Sequence, residues 1–196
     1  MYFEPDNTYH IYNRSNEQAF FNRENYFYFL KKINILIRPN ADILSWCLMP
    51  NHFHILLVTN ESSCSLIEEL HRPNVQLLSK NIGTLLSSYT RAINKQENRK
   101  GRLFSHNTQA KCLNDKIDNE GFLSNCLHYI HQNPLRAGLC NCISDYEFSS
   151  YLDYCGNRRG KLVNKELAYE MLGVSADEFK QHSEVLINEA KVKEML

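Results

Sequence analysis

A chain of 196 residues with 43% apolar side chains can build one cored domain and carry a small appendage. The 22 basic and 22 acidic side chains cancel, which excludes a uniformly basic nucleic-acid binder and turns attention to where the charges cluster. No apolar run approaches the roughly 18 residues of a membrane span, and the composition of only 7 Gly and 5 Pro excludes a fibrous or disordered chain. The opening residues Met1 to Asp6 lack a basic region followed by an apolar core, so no secretory signal is expected. Seven cysteines, an odd number without a C-x-x-C pair, read as free thiols in a reducing cytoplasm.

Thr8 to Asn13 reads as a first strand. Phe27, Leu30, Ile33 and Ile37 then recur at helical spacing, and Pro39 stops the helix. Ile43–Leu48 and Phe53–Val58 form an antiparallel hairpin around Met49-Pro50-Asn51. Ser65 with Glu68 has the pattern of a capping box, which predicts a helix interrupted at Pro73. Val75, Leu78, Ile82, Leu85, Tyr89 and Ile93 mark the next helical stripe. Arg102–Phe104 and Gln109–Leu113 are short strand candidates. Phe122, Cys126, Leu127 and Ile130 mark a core-facing helix that Pro134 is expected to end. The order predicts an α+β fold, a ferredoxin-like or RRM-like sandwich whose antiparallel sheet has helices on one face. A break in composition near Gly156 to Gly160 sets the expected division: a domain over residues 1–158 and a helical appendage over 159–196, whose role the sequence leaves open between packing, partner contact and DNA binding. Asn164 and the pair Ser175 and Glu178 are the caps expected of its two helices.

Two features carry chemistry. His52 and His54 lie two apart in a strand, so their imidazoles project from one face and can grip one ion. Tyr129 and Asn133 lie four apart on a helix and share a face. The bond to Pro134 biases Asn133 away from helical geometry, so its amide is expected at the last turn, free to turn toward a metal. A local excess of base, Arg91, Lys95, Arg99, Lys100, Arg102 and Lys111 against the single acid Glu97, suits a phosphate backbone or a solvated helix end.

Taken together, Pro50-Asn51-His52-Phe53-His54 and, about 75 residues later, Tyr129-Ile130-His131-Gln132-Asn133-Pro134 resemble the single-tyrosine HUH transposases, in particular the REP-associated tyrosine transposases. His10 to Arg14, Met49-Pro50, Gly101 to Phe104 and Phe148 to Tyr151 extend the likeness over roughly residues 8–156. Ser105, His106 and Asn107 depart from the family pattern. The resemblance implies His52, His54 and Asn133 as ligands of a divalent metal ion, Mg²⁺ or Mn²⁺, and Tyr129 as nucleophile. It implies cleavage and strand transfer on single-stranded or hairpin DNA through a 5′-phosphotyrosine. Arg14 and the basic segment, Arg91, Lys95, Arg99, Lys100, Arg102 and Lys111, would meet that DNA. Insertion-sequence members form homodimers that share active sites, whereas REP-associated ones can act as monomers, so the resemblance implies either state. Two other readings compete: an RRM-like sheet that binds single strands without cutting them, and a nuclease in which water attacks.

Overall fold

The computed structural model describes residues 1–69, 72–104, 107–114 and 121–195. Strand β1 (Thr8–Arg14) is followed by helix α1 (Arg23–Leu36), strand β2 (Ala41–Met49) and strand β3 (His52–Thr59). A short α2 (Glu61–Cys64) leads to β4 (Leu66–Glu69) and β5 (Arg72–Gln76), then to the long α3 (Leu77–Gln96). Strand β6 (Gln109–Cys112) and helix α4 (Phe122–Arg136) complete the α+β unit. The sheet is antiparallel in the order β2-β3-β1-β6, with the first and third strands in the middle. This is the split β-α-β order of a ferredoxin-like sheet, as the element sequence implied.

Strand alternation decides which side chains go where. Opposed pairs put Asn13 with Phe53 and Ile11 with Ile55 on one face, and Tyr12 with His54 and Arg14 with His52 on the other. α1 and α3 form the helical layer expected on the first face, where Phe29, Phe53, Tyr89 and Phe104 make a chain of ring contacts. The opposite face is covered as well. α4 lies across it, bringing Tyr129 against His54. The hairpin turn that starts β3 is fastened from outside: Ala19 and Phe20 donate to the Pro50 carbonyl at 2.7 and 3.0 Å, and Ser15 donates to that of Asn51 at 2.7 Å. The free edge of β2 is met by the segment around Ser149, with Ser150 N–H donating to the Trp46 carbonyl at 2.9 Å.

Several expectations are corrected. In α1 the buried residues are Asn25, Tyr26, Phe29 and Ile33, while Phe27 is exposed, so the apolar stripe is rotated by about one residue. No helix starts at Ser65. Asn60 caps α2, and Leu66–Glu69 pairs with Arg72–Gln76 as a β-hairpin that includes Pro73. Arg102–Phe104 is not a strand. α4 does not stop at Pro134 but runs to Arg136, and the amide of Ala137 donates to the Asn133 carbonyl at 3.0 Å. The loss of one N–H is tolerated because Leu139 and Gly138 close the end by donating to Pro134 and Leu135, with Gly138 left-handed at φ 68°.

After the single turn α5 (Tyr151–Tyr154), the chain forms α6 (Lys165–Leu172), α7 (Ala176–Glu184) and α8 (Glu189–Met195). Asn164 caps α6 and Ser175 with Glu178 boxes α7, as the sequence suggested. These helices press on the back of α4: Phe179 is fully buried against His128, His131 and Tyr154. Gln132 donates to the carbonyls of Ser183 and Val185 and accepts from Ile187 N–H. α4 is therefore covered on two sides, which explains its run of buried residues from Cys126 to Pro134.

The buried histidines of α4 give the fold an acid sensitivity. Burial pushes His128 down to about 4, helped by the nearby charge of His182, and its Nδ1 sits 3.0 Å from Ser183 Oγ. Unfolded, the same ring titrates near pH ~6.5. Below that pH the unfolded chain takes up a proton that the folded one refuses, so stability is lost as pH falls from about 6.5 toward 4, by on the order of 3 kcal/mol for this residue. His128→Asn keeps a partner for Ser183 and removes the titration. Denaturant unfolding at pH 7 and pH 4.5 is expected to show a pH penalty smaller by about 2–3 kcal/mol in the variant, and an unchanged penalty would refute this account.

Candidate active site

β3 places His52 at its first residue and His54 two further on, both toward α4. Their rings meet edge to face with centroids 5.2 Å apart. Tyr129 packs its ring against His54 at 5.8 Å and 78°. One turn later Asn133 comes over His52, and Arg136 continues the same face of α4. These side chains, with Tyr12, Asn13, Arg14, Ala137, Glu189 and Val192, line one cleft of about 660 Å³. The four residues singled out for catalysis and metal binding are thus brought together. Asn133 gets there as an ordinary helical residue, not as the frayed end expected from its bond to Pro134.

The electrostatics suit neutral imidazoles. Burial drives His52 down to about 4; the amide of Asn133 opposes this and the charge of Arg14 adds to it. Burial also holds His54 far below its ordinary value, with His10 and His52 adding to the effect. The Tyr129 phenol is raised by burial, while Asn133 and the Arg136 charge pull it back. Each imidazole has its Nδ1 engaged on the side away from the cleft, His52 with Asn51 Oδ1 at 2.7 Å and His54 with His10 Nε2 at 2.9 Å. That leaves both Nε2 atoms for the cleft. Buried in the same place, Asn133 Nδ2 finds no hydrogen-bond partner. Turning the amide end for end would put its oxygen there instead.

These donors fit a divalent ion. Among the described residues there is no cluster of three or more His, Cys, Asp or Glu groups that could hold one. Two imidazoles and one amide oxygen form a different, uncharged set, which would leave an ion its full charge and open positions.

The basic residues divide. Arg14 borders the main cleft and a second groove of about 520 Å³ that continues past Met49, Pro50 and Leu139. Arg91 and Arg102 line another groove of about 520 Å³, between α3 and residues 101–104 with Asn107 and Thr108. Lys95 and Lys100 are exposed nearby. Arg99 is held by Glu17 at 3.3 Å and is engaged in the fold. Lys111 stands on β6 opposite His10. Ser105 and His106, where the family pattern fails, lie outside the described residues.

Sequence alone gave no site role to His10, Asn51 or Arg136. Their signals were present: His10 and Tyr12 sit at alternate positions of one strand, and Arg136 lies three residues past Asn133 on the same helix face. Glu189 and Val192 had no local signal, because they reach the cleft by the packing of the tail on α4.

No protein-family model matches the chain, and no curated protein sequence matches it. Among solved structures, the likeness is one of fold. The chain superposes on a REP-associated tyrosine transposase bound to a REP hairpin with a TM-score of 0.58 at 15% identity, covering 84% of this chain and 92% of that one. A bacterial tRNA(His) guanylyltransferase-like protein in complex with GTP follows at a TM-score of 0.37 and 10% identity, covering 70% of each chain. That second likeness is too slight to bear an argument.

Proposed function

We propose that this protein is a metal-dependent transposase-type enzyme that cleaves single-stranded DNA next to a hairpin and rejoins it through a 5′-phosphotyrosine. The observation that carries the reading is the convergence of Tyr129, His52, His54 and Asn133 in one cleft, supplied by a strand and a helix far apart in sequence. The fold shared with a hairpin-bound transposase supports the choice of substrate. We assign catalysis to residues 1–158 and a clamping role on α4 to residues 159–196. Seven unpaired thiols agree with a cytoplasmic setting.

His52, His54 and Asn133 would hold Mg²⁺ or Mn²⁺. When bound, the ion would polarise the scissile phosphate and favour the phenolate over the phenol. Tyr129 Oη attacks phosphorus, the P–O3′ bond breaks, and the strand leaves with a free 3′-hydroxyl. The phenol gives up one proton and the leaving oxygen takes one up. Phosphodiester character is conserved, so rejoining needs no nucleotide. Arg136, whose Nη2 donates to the Ile187 carbonyl, lines the same cleft and is our candidate for a contact to a phosphate oxygen.

The test is incubation with Mn²⁺ and a labelled hairpin oligonucleotide carrying a single-stranded flank, followed by denaturing electrophoresis. A protein–DNA adduct that survives denaturation is the expected result. Cleavage without adduct would favour attack by water, and binding without cleavage a binding module. Arg91 and Arg102 can be tested in the same system. Replacing both with Ala is expected to lower the slope of log affinity against log salt by about 0.7–0.9 per lost charge without changing adduct chemistry. An unaltered slope would remove the groove beside α3 from the DNA path.

A further inference from the structure

We propose that His10 is a positioning residue: it accepts the Nδ1 proton of His54 and so keeps the Nε2 lone pair of His54 bare toward the cleft. The inference rests on reading His52 and His54 as ligands of a cation.

His10 is fully buried on β1, with its Nε2 2.9 Å from His54 Nδ1. The ladder pairs His10 with Leu56 and Tyr12 with His54, so the contact runs diagonally between neighbouring strands and is fixed by their register. Tyr12 holds it from the side, its ring 4.8 Å from that of His10 and 5.9 Å from that of His54. One proton is shared between the two ring nitrogens, and two arrangements satisfy the distance. If His10 donated, His54 would be left with its proton on Nε2, pointing an N–H into the cleft. If His54 donates, its Nε2 is bare.

His52 indicates which arrangement the site uses. Its Nδ1 faces an amide oxygen, Asn51 Oδ1, at 2.7 Å, and an oxygen can only accept. His52 therefore carries its proton on Nδ1 and presents a lone pair from Nε2. Two imidazoles that present opposite ends could not serve one ion. The arrangement in which both donate outward gives two matched lone pairs. Ligand histidines in general hand their second N–H to an outer acceptor, and loss of that acceptor costs about 10–100-fold in metal affinity. What is unusual here is that the acceptor for His54 is another imidazole, which can fill that role in one of its two neutral tautomers.

The experiment needs no DNA. Nitrogen-15 NMR of the metal-free protein, labelled at histidine, should report His54 as the Nδ1–H tautomer. His10→Met fills the space without a comparable acceptor. It is expected to shift His54 toward the Nε2–H form and to weaken Mn²⁺ binding, followed by electron paramagnetic resonance, by about 10–100-fold. His10→Gln puts an oxygen within reach of the same nitrogen and is expected to stay within about threefold of the parent. The proposal is overturned if the parent protein shows His54 as Nε2–H, a measurement that does not depend on any variant folding. It is also overturned if Met binds Mn²⁺ like the parent, or if Gln fails as badly as Met. Failure of the adduct assay alongside the expected tautomer would sink the DNA-cleaving reading and leave this one standing. An adduct alongside the wrong tautomer would do the reverse.

Discussion

Tyr129→Phe is expected to abolish the covalent adduct with hairpin DNA while the protein folds as before. The variant loses one oxygen. The ring that packs edge-on against His54 is kept, and only a hydroxyl at the cleft wall is lost. Removing one such hydroxyl costs stability of about 1 kcal/mol or less. Its effect on the reaction is of another order, because the atom that would form the bond to phosphorus is gone. Loss of a nucleophile commonly lowers turnover by 10⁴-fold or more, leaving only slow attack by water. Electrophoresis after denaturation should therefore show no adduct, and thermal melting should match the parent. An adduct of normal yield would move the nucleophile elsewhere and remove the role assigned to α4. DNA binding should survive, since Arg14, Arg91 and Arg102 are untouched, so a gel-shift control separates lost chemistry from lost binding.

The sequence showed these residues more clearly than it showed the path by which they meet. Strand alternation is a local rule, so His52 and His54 could be placed on one face from spacing alone. Tyr129 and Asn133 followed in the same way from the helical repeat. Both inferences survive in the structure because each concerns one element. Errors arose where tertiary contacts outweighed local preference. Ser65 and Glu68 have the spacing of a cap, yet Leu66 and Ile67 find strand partners in Gln76 and Val75, and the pairing prevails. Pro134 is a local stop signal, overridden because α4 is held between the sheet and the tail and its end is closed by Gly138 and Leu139. The outer contact of His54 was hidden for a different reason. His10 and His54 lie on separate strands, and their meeting depends on register, which no single stretch of sequence fixes. The approach of Glu189 and Val192 to the cleft was beyond reach for the same reason, since it needs the whole tail to be folded onto α4.

His52→Ala and His54→Ala are both expected to remove cleavage, and the difference between them is the stronger test of the site. His52 is at the strand end, partly open to the cleft, and its outer partner Asn51 is in a turn that water can reach. Its loss leaves little unsatisfied, so stability should change by about 1 kcal/mol or less. His54 is 3% exposed and bonded to a fully buried His10. Removing it opens a cavity and strands a buried ring nitrogen, two terms that together cost about 2–4 kcal/mol. Stability thus separates the two variants, while chemistry should not. Each would lack one proposed ligand, and a metal's share in phosphate polarisation amounts to several kcal/mol, so cleavage should fall by about 10²–10³-fold in both. His52→Ala is the cleaner of the pair because its fold is expected to survive. Raising Mn²⁺ should restore part of its activity if His52 acts as a ligand, since weaker binding is offset by mass action. Full cleavage by His52→Ala at limiting Mn²⁺ would mean that the imidazole facing the cleft from the start of β3 does not hold the ion. The convergence of Tyr129 and Asn133 on that strand would then need a different chemical explanation.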